Sequence, residues 1–295
     1  MARFHYRIVN VFAVSPLTGN PLCVFEHAEA LSGEQMQALA GQFNLSETAF
    51  ILPSVRANAR VRVFTPGHEM RFAGHPALGT AHVARDLLGV GDGLTLEFTA
   101  GVVPLEADRD IWQFVAPAPS HPPTRPVELD RASVAALLGL HAEDLVAEPM
   151  WVDTGADQML VPLATPDAVR RATPTAAWFA RWPVSSLGRK TAYVFAFERD
   201  TGAASGTGDR PQGVLARYFF LTPSGGVSED PGTGSACANL GGWLLATGHA
   251  LPLRCTVDQG EAVGRPCQLL LAVDTARRIR VGGQVVELGR GYVDL

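Results

Sequence analysis

The chain is poor in charge and in cysteine, and it lacks the signatures that announce a nucleotide, a zinc ion or a membrane. Charged residues make up 18% of the 295 and the formal net charge is −5. The densest basic run is Arg277-Arg278. A nucleic-acid partner, which wants a basic stripe, is therefore not expected. Four cysteines are present, Cys23, Cys237, Cys255 and Cys267. None forms a C-x-x-C pair and no histidine sits at a zinc-like spacing from them, so no metal site is expected. They read as reduced, buried thiols of a cytoplasmic protein. The longest charge-free run, Pro231 to Leu253, has a helical part ending near Gly248. That is too short to span a bilayer, and no membrane partner is expected. The N-terminal segment opens a strand and has no apolar region of the signal-peptide kind. There is no G-x-G-x-x-G after a strand, no Walker loop, no H-E-x-x-H and no G-x-S-x-G elbow. Nucleotide, zinc-protease and α/β-hydrolase readings lose their footing.

What the chain does have is apolar residues, 47% of the total, enough for a sizeable core. It also has one motif written twice. Phe64-Thr65-Pro66 leads through Gly74-His75-Pro76 into an apolar segment ending at Leu88. Leu221-Thr222-Pro223 leads through Gly232-Thr233-Gly234-Ser235 into another ending at Ala246. Each reads as strand, glycine-bearing turn and helix start. The strand ends align at one offset, and a single inserted residue sets Gly74 against Gly232. A helix start presents unpaired backbone N–H groups and the positive end of the helix dipole, so it holds anions. The first helix carries Pro76 near its start and Gly89 past its end. The second is lined with Ala236, Cys237, Ala238, Gly241 and Gly242, small residues that let sheet backbone approach. The expected picture is a helix enclosed by a curved sheet, once per half.

The other segments fit an α+β fold. Strands are expected at Ile8–Phe12, Leu22–Phe25, Ser46–Leu52 and Arg60–Phe64, with a meander of Leu94–Phe98, Val102–Leu105 and Trp112–Val115. Ser32 and Gln35 form a capping box for a helix whose apolar face is Met36, Leu39, Ala40 and Phe43; Leu31 and Met36 staple it, and Asn44 ends it. Ala116 to Val127 holds five prolines and marks the boundary between halves at 1–118 and 119–283. Residues 284–295 return as a strand of the first half. Beyond the boundary, helices are expected at Asp130–Leu140 and Pro166–Arg170, and strands at Met159–Pro162, Ala192–Phe197 and Val214–Leu221. Gly202–Gly213 reads as a mobile surface loop. Gly282-Gly283 reads as a hairpin turn between Arg277–Val281 and Gln284–Leu288.

Polar groups gather at the two motif copies. His75 occupies the first helix start, Asp230 precedes the second turn and Ser235 closes it. Glu47 adds a carboxylate to a strand that is otherwise apolar on both faces, a setting that disfavours the charged form. An acid–base couple and donors beside helix starts suit proton transfer next to a carboxylate or carbonyl. Plainer readings stand beside this one. Glu47 could be a rim residue, His75 a helix-start histidine bonded to a backbone carbonyl, and Asp230 and Ser235 turn and N-cap residues. The glycines could serve turn geometry only. His68, His82 and Cys237 read as structural.

Together these segments carry a resemblance. Gly19-Asn20-Pro21, Asn44-Leu45-Ser46-Glu47-Thr48, Phe72-Ala73-Gly74-His75-Pro76 with Gly79-Thr80, Glu229 through Ala236, and Gly264-Arg265-Pro266 resemble the signatures of the PhzF family, the phenazine-biosynthesis-type isomerases. The match runs in order over nearly the whole chain, departing at Gly232, where familiar members carry alanine. The resemblance implies a diaminopimelate epimerase-like fold of two pseudo-symmetric halves with the active site between them. It implies that Glu47 is the proton-shuttling acid/base and that His75, Asp230 and Ser235 are the other polar active-site positions. It implies no cofactor, and a homodimer. Diaminopimelate epimerase uses one thiol at each turn; those positions here are Ala73 and Pro231, so a two-cysteine racemase is not expected.

The expectation is a cofactor-independent isomerase that moves a carbon-bound proton in a small carboxylate-bearing substrate. Ser46, Gly74, Gly232, Thr233 and Gly234 would hold the anion. The alternatives are an epimerase or racemase of an amino-acid-like substrate, and a non-catalytic binding protein that keeps the fold.

Overall fold

A computed structural model describes residues 1–175, 180–198, 211–222 and 225–295. Pro223 of the second motif copy lies outside these, as does most of the loop expected at Gly202–Gly213. The chain divides into two compact units. One comprises Met1–Val115, Arg265–Gln268 and Gly282–Leu295; the other comprises Ala116–Gly264 and Leu269–Val281. The sequence boundary at 118/119 thus moves to 115/116, and the segment around Arg265 joins the first unit.

In the first unit, eight strands close a ring. They are β1 (Arg3–Val11), β2 (Asn20–Phe25), β3 (Glu47–Leu52), β4 (Ala59–Phe64), β6 (Gly93–Phe98), β7 (Gly101–Asp108), β8 (Ile111–Val115) and β17 (Ile279–Asp294). A two-residue strand β5 (Glu69–Met70) adds to β4. Around the ring, β1 pairs with β2, β2 with β3, β3 with β4, β4 with β6, β6 with β7, β7 with β8, β8 with β17 and β17 with β1. Parallel pairs occur at β2–β3 and β4–β6. A closed ring leaves no free sheet edge.

Helix α2 (Gly74–Leu88) runs inside this ring, with contacts to β1, β2, β3, β4, β6 and β8. Gly74 through Ala81, Val83 and Ala84 are all buried. Enclosure demands small side chains. A Cβ on Gly79 would lie 2.7 Å from Leu22 and 2.9 Å from Val11. The helix ends at Gly89, whose φ of 61° is left-handed backbone that glycine takes without strain.

Outside the ring, α1 (Gly33–Phe43) crosses between the parallel strands β2 and β3. The expected capping box is formed: Gln35 N donates to Ser32 Oγ at 3.2 Å, and Ser32 N donates to Gln35 Oε1 at 2.9 Å. Met36, Leu39 and Ala40 are buried, Asn44 closes the helix with a φ of 52°, and Phe25 stacks on Phe50 at 4.9 Å beneath it.

The second unit repeats the plan. Strands β9 (Thr124–Pro126), β10 (Met150–Asp153), β11 (Asp157–Pro162), β12 (Thr191–Phe197) and β13 (Gln212–Leu221) pair in that order. Strand β14 (Val227–Asp230) and strand β15 (Leu253–Gln259) both pair with β13. Against the sheet lies α5 (Gly234–Ala246), buried from Ala236 to Leu245. A Cβ on Gly241 would meet Ile279 at 2.8 Å and Leu271, in β16 (Cys267–Val273), at 3.2 Å; one on Gly242 would meet Val152 at 2.7 Å. Helices α3 (Arg131–Leu137) and α4 (Pro166–Arg171) cover a separate cluster holding Trp151, Trp182 and Val194.

One expectation about local structure is overturned. Gly282-Gly283 does not turn a hairpin, because β17 runs straight through it. Both glycines are there for clearance. A Cβ on Gly282 would lie 2.5 Å from the Trp112 carbonyl oxygen, and one on Gly283 would lie 2.6 Å from the Phe12 ring. The helices of the two motif copies start at Gly74 and Gly234, with Ala73 and Thr233 as N-caps. No helix among the described residues is long and apolar enough to cross a membrane.

Candidate active site

In the first unit three strand and helix starts converge. The parallel register sets Glu47, the first residue of β3, abreast of Leu22 in β2. Asn20 and Pro21 precede Leu22, and Gly74 and His75 open α2. His75 Nε2 stands 3.4 Å from Glu47 Oε2, with the two side chains 6% and 16% exposed. Burial pulls the imidazole down to about pKa 3, against the raising effect of its hydrogen bond to the Pro21 backbone carbonyl. The ring is therefore neutral near pH 7, and its contact with Glu47 is not an ion pair. Neutral imidazole carries one N–H. The Nδ1 atom lies 3.4 Å from Asn20 Nδ2, and the Nε2 atom faces the Glu47 carboxyl. The carbonyl bond expected of a purely structural His75 is thus present together with the carboxyl contact.

The turn that carries Pro21 is braced from far along the chain. Arg265 Nε donates to Gly19 O at 3.0 Å and its guanidinium to Asn10 Oδ1 at 2.8 Å. Gly19 N donates to Pro266 O at 2.8 Å. Gly19 has a φ of 86°, and a Cβ there would lie 2.7 Å from the Val11 carbonyl oxygen, so only glycine fits. Ser46, expected to help hold an anion, is exposed beside Glu47.

In the second unit, Asp230 ends β14 abreast of Tyr218 in β13. Its carboxylate accepts from the Thr233 hydroxyl in a short hydrogen bond. Gln259 ties the turn together, donating to Asp230 O at 2.8 Å and to Thr233 Oγ1 at 3.1 Å. With its hydroxyl spent on Asp230, Thr233 does not cap α5, and Ala73 has no group with which to cap α2. Neither helix start is closed by its own N-cap side chain, unlike α1. Gly232, Thr233 and Gly234 are buried, and Ser235 is half-buried. Ser235 Oγ accepts from Gln158 Nε2 at 2.9 Å.

The structure therefore pairs Glu47 with His75, and Asp230 with Thr233. It gives contacts to Gln158 and Arg265, and adds Asn239 and Gln259, to which the sequence alone assigns no role. None of the four cysteines forms a disulfide, and all are buried. Burial pushes the thiols of Cys23, Cys237 and Cys255 up, that of Cys255 to about 11, so they remain protonated. Among the described residues no cluster of three His, Cys, Asp or Glu side chains is arranged to hold a metal.

Comparison with known proteins follows the same lines. Residues 9–291 match the family model PhzC-PhzF, phenazine biosynthesis-like protein. An uncharacterized isomerase of Pasteurella multocida is 35% identical over 98% of this chain and 93% of its own. The trans-2,3-dihydro-3-hydroxyanthranilate isomerase of Pseudomonas chlororaphis is 33% identical over 99% of each. Among solved structures, a PhzF-family phenazine biosynthesis protein of Bacillus anthracis shares the fold, with a TM-score of 0.83 over the full length of both chains at 22% identity.

Proposed function

Since this chain belongs to the phenazine biosynthesis-like (PhzC-PhzF) family and is an enzyme of the isomerase class, we propose that it moves a carbon-bound proton within a small carboxylate-bearing substrate, with Glu47 as general acid and base. One observation carries this reading: Glu47 faces a buried, neutral imidazole at the start of an enclosed helix. Such an imidazole adds no charge to the site. As the carboxylate, Glu47 takes the proton from one carbon, becomes the carboxylic acid, and delivers that proton to another carbon, ending as the carboxylate again. The helix dipole beside it favours the negative charge that develops on the substrate as the C–H proton leaves.

In this proposal Asp230 and His75 orient the substrate's polar groups. Ser235, Ser46 and the backbone at Gly74, Gly232, Thr233 and Gly234 bind its carboxylate. The reaction needs no cofactor, and the enzyme works as a homodimer in the cytoplasm.

The test uses the compound on which the Pseudomonas relative is named to act, trans-2,3-dihydro-3-hydroxyanthranilate. In D2O the wild type washes deuterium into the product. Glu47→Gln keeps binding and loses turnover by roughly 10²- to 10⁴-fold, the range for a positioned general acid–base. Undiminished exchange in that variant removes Glu47 from the role. Wash-in with inversion at a single carbon, without a shift within the molecule, moves the assignment to an epimerase.

A further inference from the structure

Ser235 sits at the end of a buried chain of amides whose polarity is set by the backbone. Thr154 N donates to Asn239 Oδ1 at 2.9 Å, and Thr154 Oγ1 donates to the same oxygen at 2.6 Å. Asn239 Nδ2 donates to Ala156 O at 2.9 Å and to Gln158 Oε1 at 2.9 Å. Gln158 Nε2 then donates to Ser235 Oγ at 2.9 Å and to Tyr218 OH at 3.4 Å. Thr154, Gln158 and Asn239 are at most 5% exposed.

A backbone N–H only donates and a backbone carbonyl only accepts. Thr154 N therefore fixes which end of Asn239 is the oxygen, and Ala156 O fixes which end is the nitrogen. Asn239 Nδ2 in turn requires the Gln158 oxygen to face it. The Gln158 amide cannot flip without leaving two buried donors facing each other, which is costly away from water. Both N–H groups of Gln158 are used, so the Ser235 oxygen is an acceptor in this contact. Its own proton is directed away from Gln158.

We propose that Gln158 and Asn239 are positioning residues that hold the Ser235 hydroxyl as a hydrogen-bond donor toward an acceptor-only oxygen of the ligand, a carboxylate. This rests on the isomerase reading for the identity of the ligand, but not for the polarity of the relay. A serine free to rotate spends part of its time as an acceptor, repelling a carboxylate. The relay removes that orientation in advance and so lowers the cost of binding.

Two measurements test it. The first needs no ligand: a neutron structure of the deuterated protein locates the Ser235 deuteron. It should point away from Gln158, with two deuterons on the Gln158 atom nearest Ser235. A deuteron lying between Ser235 Oγ and a Gln158 oxygen overturns the proposal. The second uses Gln158→Glu, which puts an acceptor against Ser235 and draws its proton inward. The KM for trans-2,3-dihydro-3-hydroxyanthranilate should rise roughly 10- to 150-fold, the range for a lost hydrogen bond to a charged group, with kcat changed far less. Ser235→Ala should be similarly costly in the wild type and nearly without further effect on the Gln158→Glu background. A folded Gln158→Glu with wild-type KM, or equal cost of Ser235→Ala in both backgrounds, overturns the proposal. Should Gln158→Glu not fold, the neutron map decides alone. Absence of turnover by the wild type would refute the isomerase reading on this compound, and the position of the Ser235 deuteron would then support or overturn the relay by itself.

Discussion

Acid should weaken this protein through His75, by an amount that can be worked out. The unfolded chain binds a proton on this residue near pH 6.5, whereas the buried ring binds one only near pH 3. Above pH 6.5 both states are neutral and the residue has no effect on stability. Between 6.5 and 3 the unfolded state is protonated and the native state is not. Stability therefore falls as pH falls, at about 1.4 kcal/mol per pH unit once below the upper pKa. At pH 5 the loss is about 2 kcal/mol, and it approaches roughly 5 kcal/mol near pH 3. The perturbation that isolates it is His75→Asn, which cannot take up a proton. Urea unfolding of both proteins from pH 8 to pH 4 gives two stability curves. Other titrating groups are common to both and cancel in the difference. That difference should be flat above pH 7 and close by about 2 kcal/mol at pH 5, with the wild type losing its advantage. Parallel curves throughout refute the argument. So would a ring nitrogen resonance of His75 that titrates near pH 6.5 in the native protein, since the burial invoked here would then be absent.

Other expectations follow from single contacts. Gly282→Ala drives a Cβ to 2.5 Å from the Trp112 carbonyl oxygen, where backbone must yield. It should lower the urea midpoint by about 1–3 kcal/mol worth of stability with an unchanged m-value, and an unmoved midpoint would show that β17 has slack there. Arg265→Ala removes two charge-assisted bonds to the turn bearing Pro21 and should cost about 1.5–3 kcal/mol in the same assay. Arg265→Lys should not rescue it, because one ammonium cannot reach both Gly19 O and Asn10 as the fork does. Full recovery with lysine would argue that only the charge matters.

How much of this was legible in the sequence depends on the range of the interaction. Ser32 and Gln35 are three residues apart, so their capping box could be read directly and is present. The enclosed helices were legible because enclosure requires small residues, and Gly79, Gly241 and Gly242 all stand where a Cβ would strike a strand side chain. The same logic misled at Gly282-Gly283. Paired glycines signal a turn locally, and what makes them necessary there is Trp112 and Phe12, far away in sequence. The contacts of the amides were invisible for a similar reason. Asn239 sits in a run that reads as enclosed, but its partners, like those of Gln158, arise only when β11 meets α5.

The path of β17 has a consequence for how the protein is made. The first ring is closed by pairing of Phe4 with Val293 and Arg7 with Arg290. During synthesis β17 emerges only after β1 and the second unit. Until then β1 keeps one hydrogen-bonding edge open and α2 lacks one wall of its enclosure. Contacts so far apart in sequence form slowly, and an unpaired edge invites pairing with another chain. Until β17 emerges, the nascent chain thus carries its proposed catalytic carboxyl on an unfinished ring.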